Sequence, residues 1–102
     1  MSVYFDVRSC LGKRIRISRR HWNLIVERKH LEMAGLENEV KKTLSYAESV
    51  RISQADKEVF LYYRKFRQYY LCVVCRHLND DGFIITSYFT DRLKEGHEVW
   101  RK

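Results

Sequence analysis

The sequence predicts an α+β domain: an N-terminal β-hairpin or strand, then two helices packed on one face of a four-stranded antiparallel sheet. Three observations carry this expectation. Apolar residues recur at helical spacing through Ala47 and at a period of two from residue 49 onward. Helical and strand segments are therefore segregated along the chain, which favours α+β over alternating βα units. Asn79-Asp80-Asp81-Gly82 separates two β-rich runs with the chemistry of a hairpin connection. With 102 residues and 45% hydrophobic content, residues 1–102 read as a single domain with enough apolar material for a core.

Each element follows from local pattern. Val3–Ser9 alternates weakly and reads as a strand, closed by the turn Cys10-Leu11-Gly12. Lys13–Ser18 reads as the second strand, with Ile15 and Ile17 inward and Arg14 and Arg16 on a cationic outer face. Ser18 is a helix cap. The helix starting near Arg19 places Trp22, Ile25 and Val26 on one stripe and runs to about His30. After a break at Met33-Ala34-Gly35, a second helix sets Leu36, Val40, Leu44 and Ala47 on one side. Its outer side holds Glu37, Glu39, Lys41 and Lys42, with Glu37 and Lys41 in the supportive i,i+4 orientation.

In the β-rich half, Val50 and Ile52 alternate with Arg51 and Ser53, and residues 54–57 form a turn. Val59–Phe66, Tyr69–Leu78 and Phe83–Thr90 follow as strands, with Gly96–Trp100 as a short edge strand open to pairing with a second copy. The turn at Arg67-Gln68 decides the register. Three turn residues put Val59, Leu61 and Tyr63 on the face of Leu71, Val73 and Cys75, leaving Phe60, Tyr62, Arg64, Tyr70, Cys72, Val74 and Arg76 opposite. Two turn residues invert the first strand. The three-residue turn is expected because it gives the more uniformly apolar core.

Charge points to an anionic partner. Lys and Arg number 20 against 13 Asp and Glu, a net +7. The densest cationic stretch is Lys13–Arg20, and a second, Arg64–Tyr70, interleaves cations with aromatic rings. Cations neutralise phosphates and ring faces stack on bases, so the mixture suits RNA, particularly single-stranded or looped. Arg14, Arg16, Arg19, Arg20, Arg51, Lys65 and Arg67 are the candidate nucleic-acid contacts, although either cluster alone also fits a merely solvated face. No apolar run is long enough to span a bilayer, and the start shows no secretory pattern, so a membrane partner is not expected. Three Cys cannot all pair within one chain, and a reducing cytoplasm is the expected location.

Cys72 and Cys75 with His77 invite a zinc reading, but strand positions three apart face opposite ways and no second ligand pair exists. No metal and no cofactor are expected. Phosphate-binding, dinucleotide and hydrolase-elbow motifs are absent from the sequence. RNA cleavage without a metal needs a base, an acid and a cation for the charged phosphorane. Of His21, His30, His77 and His97, His30 ends the first helix at the border of its core-facing stripe. It is the candidate proton-transfer group, with capping of the helix C-terminus as the equal alternative. His21, near the helix start beside Arg19 and Arg20, suits a phosphate site. Arg51, Tyr62, Arg64, Thr86 and Tyr88 are polar strand positions able to grip or relay.

The strings His21-Trp22-x-x-Ile25, Lys29-His30-x-Glu32-Met33 and Val40-x-x-Thr43-Leu44 open a pattern. Leu61-Tyr62-Tyr63, Tyr70-Leu71-Cys72-Val73-Val74 and Phe83–Thr90 continue it. Over roughly residues 13–100 the chain resembles small phage- and plasmid-associated members of the barnase–EndoU–colicin–RelE-like nuclease superfamily. The resemblance implies a RelE/barnase-like fold and a metal-independent endoribonuclease acting on RNA, in many cases a toxin neutralised by an antitoxin protein. His30 matches the helical histidine, Tyr62 or Tyr63 with Arg64 the polar strand site, and Thr86 and Tyr88 the late-strand residues. His30 would then transfer protons, Arg64 stabilise the phosphate, and Tyr62 and Thr86 position it. No Glu is obviously placed beside His30, Glu27 and Glu32 being nearest in sequence. A non-catalytic basic module binding nucleic acid or protein is the alternative.

Overall fold

β-branched and aromatic runs build seven strands: β1 (Val3–Arg8), β2 (Arg14–Ser18), β3 (Ser49–Ile52), β4 (Val59–Phe66), β5 (Tyr69–His77), β6 (Asp81–Thr90) and β7 (His97–Arg101). The structure, a computed structural model, describes residues 2–93 and 96–102. The strands form one sheet in the order β1-β2-β6-β5-β4-β3-β7. Neighbours run antiparallel except β2 and β6, which pair in parallel through Arg14–Arg16 and Asp81–Phe83.

This mixed seven-stranded sheet overturns the expected four-stranded antiparallel one, and with it the RelE/barnase-like arrangement as anticipated. The reason is edge satisfaction. A four-stranded sheet leaves two rows of unpaired backbone groups. Here β7 covers the outer edge of β3, and the β1–β2 hairpin docks on part of β6. Local alternation marks where strands lie; these long-range pairings decide which become neighbours.

The helical layer is also shorter than expected. Ser18 Oγ accepts the His21 backbone N–H at 3.1 Å and caps α1 (Arg19–Leu24). The chain then widens into a π-helical turn over Ile25–Lys29, closed by the His30 N–H to Ile25 O bond at 2.7 Å. A 3-10 turn (Leu31–Met33) leads to α2 (Glu37–Ser45). Trp22, Ile25, Met33, Val40 and Leu44 from this layer pack on Ile15, Val50, Tyr62, Leu71, Val73, Cys75 and Ile84, and this is the main core.

The turn between β4 and β5 has two residues, since Phe66 faces Tyr69 across it. The expected three-residue register is therefore corrected. Phe60, Tyr62 and Arg64 join Leu71, Val73 and Cys75 on the helix-covered face, while Leu61 and Tyr63 join Cys72 and Val74 opposite. Arg67 opens the turn at φ 59, a conformation that tight hairpins require and that Gly or Asn usually signals. The far face is not bare. Leu61, Tyr63 and Cys72 are buried there, with Tyr70, Val74, Tyr88 and Leu93 packed around them. Cys72 and Cys75 thus lie on opposite faces. No helix among the described residues is long and apolar enough to cross a membrane.

Candidate functional site

The residues expected to act together separate into two groups. The π-helical turn delivers His30 to the side of β6, where its ring stacks on Tyr88 with centroids 5.6 Å apart and planes at 28°. Glu32 reaches back so that its Oε2 lies 3.4 Å from His30 Nδ1. Of the two glutamates nearest His30 in sequence, Glu32 is the one that contacts it. Thr86 stands two residues before Tyr88 on β6, and their partners Val74 and Cys72 place both on the same face. Its Oγ1 is buried without a partner among the described residues. An imidazole and a carboxylate in contact beside the Tyr88 ring are elements that a proton-transfer site would use.

Tyr62 and Arg64 lie elsewhere, because the two-residue turn sends them under the helices. Tyr62 is fully buried, and its hydroxyl bonds Ser9 Oγ and His77 Nε2, each at 2.9 Å. Arg64 donates from Nε to Thr43 Oγ1 at 3.2 Å and forms an ion pair with Glu39, so it ties β4 to α2. The structure brings His30 to Tyr88 and does not bring it to Arg64, whose guanidinium is committed to α2. Tyr63, the alternative to Tyr62, is buried on the far face, edge-on to Tyr70.

A shift in the β5–β6 register between Val74 and Cys75 leaves Ile85 out of the ladder. The Ile85 carbonyl lies 2.8 Å from His21 Nε2. His21 therefore anchors α1 to β6 rather than facing a phosphate.

The candidate nucleic-acid contacts divide as sharply. Arg14 pairs with Asp6 and Arg16 with Asp81, each at 2.6 Å, so acidic neighbours neutralise much of the first cationic stretch. Arg51 is half-buried, 3.8 Å from Glu98, with its Nε unpartnered among the described residues. Arg19 lies over the Tyr4 ring at 4.4 Å, and Arg20 is exposed beside it. In the second stretch Arg64 is tied to α2, while Lys65 and Arg67 lie over aromatic rings. Arg67 sits 5.5 Å from the Phe66 centroid and Lys65 5.0 Å from that of Tyr70. Phe66, Arg67, Gln68, Tyr69 and Phe89 line a cleft of about 520 Å³ at the tip of the β4–β5 hairpin. Phe66 and Phe89 are 5.5 Å apart, and Tyr69 is 46% exposed.

Sequence reasoning passed over His77 as a site residue. Only the two-residue register places it on the face of Tyr62, with its ring stacked on Phe60 at 3.8 Å. The sole hint in the sequence is that Phe60, Tyr62, Cys75 and His77 share one alternation phase once the turn is counted correctly.

Set against known protein families, curated proteins and solved structures, the chain has no match.

Proposed function

We propose that the chain binds single-stranded RNA on the tip of the β4–β5 hairpin. One observation carries this reading: Phe66, Arg67, Tyr69 and Phe89 surround a cleft open to solvent, and Lys65 lies over Tyr70 on the other face of the same hairpin tip. Rings offer faces for bases, and the cations attract the phosphates between them. Net charge of +7 adds long-range attraction. The test is fluorescence anisotropy of a labelled oligouridine in EDTA. Arg67→Gly keeps the turn conformation and Tyr69→Ser removes an exposed ring. Each is expected to weaken binding, Tyr69→Ser by about 5- to 150-fold if one base stacks on it. Unchanged affinity in both variants removes the tip as the interface.

A second reading adds cleavage, and the contact between His30 and Glu32 favours it. The Glu32 carboxylate orients the His30 ring, whose free nitrogen takes the proton of the ribose 2′-hydroxyl as that oxygen attacks the phosphorus, while the leaving 5′-oxygen takes its proton from water. In this reading Thr86 and Tyr88 position the phosphodiester and Arg64 is a structural tie. His30→Ala then abolishes cutting of the same RNA in EDTA while binding persists. Cutting that survives His30→Ala and Glu32→Gln rejects this site.

A further inference from the structure

Where β2 leaves the sheet, the fold opens a second cleft. β2 pairs with β6 only through Arg14–Arg16 and Asp81–Phe83. Beyond that point Ser18 caps α1 and carries the chain out of the sheet, while β6 continues to Thr90. The two strands therefore part at Ile17 and Ile84, and His21 ties α1 across to the Ile85 carbonyl. The fork holds a cleft of about 650 Å³ with walls of Val3, Ile17, Leu24, Phe83 and Ile84. Ile17 and Ile84 are buried, whereas Val3, Leu24 and Phe83 are 51%, 41% and 37% exposed. Three large apolar side chains left open around one hollow favour a ligand that removes them from water.

Charge selects the kind of apolar ligand. Arg16 and Arg20 line the same cleft, and no carboxylate does. Arg16 Nη1 is held by Asp81 at 2.6 Å. Arg20, exposed and without an ion pair among the described residues, therefore carries the uncompensated charge. Glu27 lines the adjoining cleft, where Arg19 and Arg20 outnumber it. A second copy of the chain would bring its own net charge of +7 against these cations. A peptide backbone would need hydrogen-bond partners, yet Ser18 Oγ is engaged by the His21 N–H and the Ile85 carbonyl by His21 Nε2. An alkyl chain needs none and matches the walls.

We propose that this cleft binds a medium-chain fatty carboxylate, with its alkyl chain against Val3, Leu24 and Phe83 and its carboxylate at Arg20, beside Arg16. The site is separate from the RNA-binding tip and does not depend on it.

The test is calorimetric titration of the intact protein with decanoate, octanoate, hexanoate and decanol, each below the concentration at which it self-associates. Each methylene removed from decanoate is expected to weaken binding about 2- to 4-fold. Decanol binds less tightly than decanoate. Arg20→Gln weakens decanoate about 2- to 5-fold and leaves decanol unchanged. Leu24→Gln weakens both, and circular dichroism checks that each variant remains folded. Arg67→Gly and Tyr69→Ser leave every affinity unchanged. Absence of saturable decanoate binding, or an affinity independent of chain length, overturns the proposal. Decanol binding as tightly as decanoate overturns the role of the arginines, and unchanged binding by folded Leu24→Gln overturns the location. A stable dimer in sedimentation that Leu24→Gln dissociates assigns the cleft to a second copy and overturns the proposal as well.

Discussion

Gly82 shows how tightly single residues are constrained. A Cβ there would lie 2.3 Å from the Arg76 carbonyl and 3.2 Å from Ile15 Cδ1, where β2, β6 and β5 meet. Gly82→Ala must push backbone from backbone, and a loss of at least about 1–3 kcal/mol is expected in urea unfolding. At Gly35 a Cβ meets nothing within 4 Å but the backbone has φ +79. Gly35→Ala should therefore cost only the local strain, about 1–2 kcal/mol. His77 gives the residue-scale pH response. Its folded value of about 4 lies below its ordinary 6.5, so between these values the unfolded chain holds more protons than the folded one. Its contribution to stability is complete above pH 6.5 and is lost as pH falls toward 4. In urea titrations across that range His77→Gln is expected to show a flatter decline than the parent. Asp56, held low by the Glu58 N–H and Arg76, extends the acid sensitivity below the usual carboxylate range.

Elements show what could be read beforehand and why the rest could not. β4 lies over Val59–Phe66, where β-branched and aromatic residues cluster, because that signal is local. The face it presents depends on a single count at Arg67-Gln68, which lacks the Asn-Gly signature. Arg67 nevertheless takes the left-handed conformation, so the misjudged turn moved Tyr62 and Arg64 from a presumed open face to the core side. The first helix carries no mark of its π-helical turn, since apolar spacing through Ile25 and Val26 fits an ordinary helix equally well. Even so, the His30 ring comes to stack on Tyr88. Arg64 supplies the element-scale prediction. If it joins β4 to α2 through Glu39 and Thr43, Arg64→Leu should cost about 1–3 kcal/mol by leaving those partners unmatched. Arg64→Lys should recover only part of this, because an ammonium cannot reproduce the guanidinium fork. A purely catalytic arginine would leave thermal stability unchanged.

For the whole molecule, connectivity separates structure from surface chemistry. Pairing of β2 with β1 on one side and β6 on the other spends Arg14 on Asp6 and Arg16 on Asp81 at one end of the sheet. At the tip of the β4–β5 hairpin, Lys65 and Arg67 instead lie over rings. Charge totals taken along the chain put the excess in the first half, whereas folding leaves the ring-stacked cations in the second. Binding should accordingly weaken with salt by a slope set by few phosphates, shallower than one that used the whole of Lys13–Arg20. The most direct test of RNA recognition at the tip is a ¹H–¹⁵N correlation spectrum recorded during titration with oligouridine. The amide signals of Phe66, Arg67, Gln68, Tyr69 and Phe89 are expected to move first and furthest; perturbations confined to β1, β2 and α1, with the hairpin tip unmoved, would contradict the account.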